Sequence, residues 1–249
     1  MKPALLALLL FTPQDDPVAV VRKALAKTES ASYSYTVSGR FDRTGEFVPP
    51  AILTARIGTL EAARNGGNLI IKWPDGKWKT SAELVGEELD KRDQETIDKL
   101  RTLQEGEAPH ARVRELLDLV EKGTKGDDAD VDKTPCSVFA MKFSKERLKL
   151  YLEKQIETAV ARGSMRKPDV VKWSTLEGSL KVFVEKKEGW LAQVVDERTV
   201  KIEYKQSASG DQKVFECRFV YDFNGWGKST AGIPAEVKEK LGIPVEKKR

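Results

Sequence analysis

The chain has one histidine, His110, and two cysteines, Cys136 and Cys217, and these few residues bound the chemistry open to it. A histidine base needs a nucleophile to serve, and no G-x-S-x-G or comparable motif accompanies it. His110 follows Pro109 at the start of a predicted helix, where an exposed, non-catalytic residue is expected. A zinc site takes about three or four His, Cys or acidic ligands, more than one histidine and two distant cysteines supply. Asp128, Asp130 and Asp132 alternate as in a calcium loop, but a loop opening at Asp128 needs Gly at its sixth place and Glu at its twelfth. The chain has Lys133 and Phe139 there. Asn65-Gly66-Gly67-Asn68 lacks the lysine and the spacing of a phosphate loop. The reading is therefore no metal, no cofactor and no enzymatic activity. The cysteines leave two readings open: one disulfide, worth roughly 4 kcal/mol by the chain-entropy argument, or two free thiols packed as small hydrophobes.

Charge points the same way. Among 249 residues, 43 are basic and 39 acidic, a formal balance of +4, and the two signs are interspersed, as in Lys181, Glu185, Lys186, Lys187 and Glu188. A dedicated nucleic-acid binder concentrates its basic residues on one face, so no nucleic-acid partner is expected. At the N-terminus, Met1-Lys2 precedes the apolar run Ala4–Phe11, which Thr12-Pro13-Gln14-Asp15-Asp16 ends. That is signal-peptide length and too short for a membrane helix. Residues 1–14 are read as an export signal. No cysteine follows the run as a lipid anchor, and no transmembrane segment follows in the mature chain. An exported protein, periplasmic or in the cell envelope, is expected.

Asp16 and Pro17 open an amphipathic helix carrying Val18, Val21, Ala24 and Leu25. Tyr33, Tyr35, Val37, Gly39 and Phe41 then alternate with polar residues as a strand. Residues 51–59 predict a second strand, and Leu69–Trp73 a third, turning through Pro74-Asp75-Gly76-Lys77 to Trp78. Ile97, Leu100 and Leu103 predict one helix. Val113, Leu116, Leu117 and Val120 predict another, running from Pro109 to Gly123. Residues 123–133 read as a polar surface loop. A strand over Cys136–Phe143 leads to a helix capped by Ser144, with Leu148, Tyr151, Leu152, Ile156 and Val160 on one side. From Lys172 to Phe223 strands follow one another through short turns, one at Ser209-Gly210-Asp211. The last of them sets Phe215, Cys217, Phe219, Tyr221 and Phe223 opposite Glu216, Arg218 and Asp222, the pattern of a sheet wetted on one side. Pro234 opens a short helix with Val237 and Leu241, Gly242 ends it, and residues 246–249 form a charged tail. No linker interrupts residues 15–249, so one domain is expected. Its class is α+β: one large curved antiparallel sheet with helices covering its apolar, concave face.

The succession of parts resembles the outer-membrane lipoprotein carrier superfamily, the LolA/LppX-like half-barrels. The resemblance is carried by the helix Pro17–Thr28, the Ser30-Ala31-Ser32-Tyr33-Ser34-Tyr35 lead into the first strand, Val220–Gly225, and Ile233-Pro234-Ala235-Glu236-Val237. Gly178–Val184 leading to Gly189, and the ending Ile233–Leu241, are similar to an exported branch of it. The resemblance implies an incomplete β-barrel closed by helices around a hydrophobic cavity, with a lipid, an acyl chain or a lipidated protein as partner. Tyr33, Tyr35, Phe41, Phe215, Phe219, Tyr221 and Phe223 would then form the cavity wall. The alternative is a non-enzymatic protein-interaction module of the cell envelope whose core is filled.

Overall fold

The structure, a computed structural model, describes residues 16–73, 75–80, 83, 94–161, 170–204 and 212–244. The export segment, the turn at Ser209–Asp211 and the charged tail lie outside them.

Helix α1 (Pro17–Glu29) starts where sequence chemistry sets it. The Asp16 carboxylate accepts from the Val18 amide at 3.2 Å and proline occupies the first turn, satisfying one free amide and tolerating the loss of another. The strands β1 (Tyr33–Ser38), β2 (Arg43–Val48), β3 (Ile52–Ile57), β4 (Leu60–Asn65), β5 (Asn68–Lys72) and β6 (Trp78–Thr80) then run as an antiparallel meander. Helices α2 (Gln94–Glu105) and α3 (Pro109–Leu117) precede β7 (Val120–Lys125), β8 (Ala129–Val131) and β9 (Thr134–Phe143). Helix α4 (Lys145–Ala161) leads to three long strands, β10 (Val170–Glu185), β11 (Leu191–Tyr204) and β12 (Gln212–Asn224), and α5 (Ala235–Lys240) follows. All strands join one antiparallel sheet in the order β6-β5-β4-β3-β2-β1-β12-β11-β10-β9-β7, with β8 beside β9. Its edges β6 and β7 do not pair, so the barrel stays open. The expected α+β half-barrel is the architecture found.

The inner face carries the core. Val21 and Leu25 of α1, Val113, Leu116 and Leu117 of α3, and Leu148 of α4 close over Tyr33, Tyr35, Phe47, Met141, Leu180, Val194, Tyr221 and Phe223. Leu100 and Leu103 of α2 cover Ala55, Ile57, Leu60, Ala62 and Ile71 farther along the same face. The outer face is less uniformly wet than its charge pattern suggests. Val237 of α5, with Ala231, Ile233 and Leu241, packs behind Ala63 and Ile70. Cys136, Val138, Phe183, Ala192 and Val195 form an apolar patch on that outer side.

Three readings change. The stretch 123–133 is no loop, because Val120–Lys125 and Ala129–Val131 both pair with β9; edge strands that bury little need no apolar alternation. The helix expected to reach Gly123 stops at Leu117, where Asp118 caps it, and Val120 belongs to β7. Strands β2 and β4 lack a clear apolar alternation because Arg43 and Gly45 of β2 and Arg64 of β4 stand at inner-face positions.

Candidate functional site

The three long strands outrun their neighbours. On one side β9 pairs with β10 only as far as Ser179, and on the other β1 meets β12 only at Val220 and beyond. Meanwhile β10, β11 and β12 stay paired with one another out to Val170, Tyr204 and Gln212. They form a three-stranded arm, and α4 lies against its inner side. The arm starts at the Gly178–Arg198–Cys217 level. Gly178 is required there: a Cβ would run into the Phe143 ring and crowd Arg198.

At the base of the arm the apolar inner face is broken by charge. Asp196 and Arg198 lie between Val194 and Val200 in the same alternation, so all four point inward. Both are buried, and Arg198 Nη2 lies 3.0 Å from Asp196 Oδ2. Arg198 Nε and the Tyr151 hydroxyl from α4 are both buried without a hydrogen bond. Burial pushes the Asp196 carboxyl up, opposed by Arg198 and Arg112. Arg112 reaches in from α3, with its guanidinium 5.1 Å from the Tyr151 ring centre and Nη1 2.8 Å from Glu115 Oε2 at the solvent side. Burial works to lower its pKa, but Tyr151, Tyr221 and Glu115 outweigh that and raise it. Burial raises the Tyr221 hydroxyl to about 12, helped by Asp196 and opposed by Arg112. Arg198 lies over the Phe219 ring at 5.9 Å. Gly39 makes room for that ring, since a Cβ there would sit 2.5 Å from Phe219 Cδ1.

The seven expected wall residues separate into three groups. Tyr33, Tyr35, Tyr221 and Phe223 are almost wholly buried and closed over by α1, α3 and α4. Tyr33 and Tyr35 also spend their hydroxyls locally, on His110 Nδ1 at 2.5 Å and on the Thr54 carbonyl at 2.6 Å. Phe41 packs at the edge of the cluster under α2. Phe219 is half-buried and Phe215 is 42% exposed, both on the arm. The expectation of an exposed His110 is corrected: it is buried between Tyr33 and Phe47, and burial lowers its pKa to about 4 and keeps it neutral. The disulfide is also corrected. Cys136 and Cys217 are free, on β9 and β12, with two strands between them. Three strand spacings amount to about 14 Å, beyond the roughly 7 Å a disulfide spans.

Asp196, Arg198, Arg112 and Tyr151 were not anticipated. The signal for two of them was in Val194-Val195-Asp196-Glu197-Arg198-Thr199-Val200, where an acid and a base occupy positions that alternation assigns to the core. Arg112 and Tyr151 come from separate helices and no local pattern joins them to the pair.

No protein-family model matches the sequence, and no curated protein does. Among solved structures the chain is similar to lipoprotein LppX of Mycobacterium tuberculosis, with 11% identity and a TM-score of 0.47 over 86% of this chain and 96% of that one. It is similar at the same identity and TM-score to LprF from Mycobacterium bovis, over 88% and 97%. A putative outer membrane lipoprotein-sorting protein domain from Vibrio parahaemolyticus aligns at 6% identity and a TM-score of 0.26, over 88% and 94%. Among the described residues, no helix is long and apolar enough to cross a membrane.

Proposed function

We propose that this is an exported, non-catalytic binding protein that holds a lipid or acyl chain, free or attached to a protein, on the inner side of the β10–β12 arm. The observation that carries the reading is how weakly that side is closed. Of the whole of α4 only Leu148 is fully buried. Leu152, Ile156 and Val160 continue its stripe toward the arm and remain half-buried. Facing the same space are Leu176 and Phe219, and Phe215 stands exposed farther out. Proximal to the arm, α1 and α3 pack on the buried core cluster, so they act as structure and α4 as the roof. An apolar chain sliding beneath α4 would cover this half-exposed surface, at about 25 cal/mol per Å² removed from water.

A second reading, a protein-interaction module, is favoured by the filled proximal interior and by exposed Leu150, Val214 and Phe215 on α4 and the arm. Native mass spectrometry of protein taken from an envelope fraction separates the two. The carrier reading expects a lipid-sized mass released with the protein, and Phe219→Asp expected to abolish it. Protein that carries no lipid and takes up none when offered would leave the interaction module in its place.

A further inference from the structure

Buried polar atoms are nearly always hydrogen-bonded, and a buried charge without good partners is costly. At the base of the arm two such atoms stand without a hydrogen bond, Nε of Arg198 and the hydroxyl of Tyr151, beside an Asp196 carboxylate that lies 3.0 Å from Arg198 Nη2. The Asp196 side chain is wholly buried and that of Arg198 is 7% exposed. Replacing such an ion pair by apolar residues is often neutral or stabilising, so fold stability alone gives no reason for the pair to be here. Arg112 adds a second guanidinium, paired at 2.8 Å with Glu115, whose carboxylate is 44% exposed, and hydrogen-bonded to the buried Tyr221 hydroxyl. Arg198 and Arg112 therefore both bear on the buried Asp196 carboxylate, with Glu115 pairing Arg112 at the rim.

We infer that this spot takes the anionic head group, a carboxylate or phosphate oxygen, of a chain-bearing amphiphile whose tail runs outward along the arm beneath α4. The inference rests on the binding reading above and names the head group that reading leaves open. Guanidinium groups are suited to such oxygens because their N–H donors match a planar or tetrahedral anion in pairs. Arg198 Nε–H and the Tyr151 O–H are the donors left free to reach one. Direction follows from the same strands: beyond the charged base, the inner face continues as Leu176, Val200, Ile202 and Phe215. Asp196 opposes a second negative charge, so a monoanion fits better than a dianion.

The test is titration of the delipidated full-length mature protein with oleate, methyl oleate and acetate, followed by calorimetry. Oleate and its methyl ester share a tail and differ in the head charge. A charge-assisted hydrogen bond contributes about 1.5–3 kcal/mol, so oleate should bind at least about tenfold more tightly than the ester. Arg198→Met should erase that preference while leaving the ester's affinity unchanged. Asp196→Asn, a milder change should the first variant not fold, should strengthen oleate binding and leave the ester alone. Equal affinities in the wild-type protein, or a preference that survives Arg198→Met, would each overturn the head-group assignment while leaving chain binding standing, whereas displacement of oleate by acetate at matched concentration would overturn the placement of the tail beneath α4. Failure of both oleate and the ester to bind would instead remove the carrier reading itself.

Discussion

His110 is the residue whose surroundings make the sharpest prediction. Its imidazole is buried beside Tyr33 and Phe47, and desolvation lowers its pKa from the ordinary 6.5 to about 4. Between those two values the unfolded chain binds one more proton at this site than the folded one, so stability falls as pH drops from 6.5 toward 4 and is indifferent to this group above 6.5. Thermal melts from pH 7.5 to 4.5 should show that loss, and His110→Phe should flatten the curve across the window. Equal pH dependence in the two proteins would refute the assignment. At this scale the sequence was a partial guide. It gave the alternation that sends Tyr33, Tyr35, Tyr221 and Phe223 inward, but not what would cover them. Burial of His110 depends on Phe47, from a strand that charged residues concealed. The Asp196–Arg198 pair could be read as an interruption in an apolar face, whereas its meeting with Arg112 and Tyr151 is purely tertiary.

Among the elements, α1 and α4 differ in how they are held. Helix α1 has a side-chain cap, buries Val21, Ala24, Leu25 and Thr28, and is tied to the β10–β11 turn region by Thr28, whose hydroxyl accepts from the Leu191 amide at 3.1 Å. Helix α4 is longer and fixed chiefly at its first turns: Ser144 accepts from the Arg147 amide, and Arg147 Nη1 donates to the Val120 carbonyl at 2.9 Å. Local opening follows such differences in burial. Hydrogen exchange should therefore show the amides of residues 152–161 exchanging well before those of α1, with residues 145–149 between. Leu148→Ala, at the one fully buried anchor, should cost about 2–5 kcal/mol in denaturant melts, far more than Leu150→Ala at a surface position. Uniform protection along α4 would count against its role as a roof. Elements with strong caps and stripes were legible in sequence. Edge strands β7 and β8 were not, since a strand with one neighbour and two wet faces lacks the alternation that marks a half-buried one.

As a whole, the molecule is stabilised without a covalent cross-link. The two thiols lie on strands that never neighbour each other, so a reductant should leave the melting temperature unchanged, and thiol titration of unfolded protein should find two reactive groups per chain. A shift of several degrees on reduction would mean that the strand order is wrong. The α+β class and the helix-covered inner face were evident from the order of patterns along the chain. The arm was not: how far one strand outruns its neighbours is set by register, which no single strand encodes.

The register also bears on how the chain reaches this shape. Strands β1 to β6 pair with immediate successors, as do β9 to β12, so each wing can zip through contacts between neighbours in sequence, with α4 the one long crossing, between β9 and β10. In the sheet, the pairing of β1 with β12, from Ser34 opposite Asn224 to Ser38 opposite Val220, joins the wings, between partners far apart in the chain. That junction is the costliest loop to close and should form after both wings have. Its contacts would then be largely absent from the rate-limiting barrier, and weakening them should hasten unfolding while barely slowing refolding.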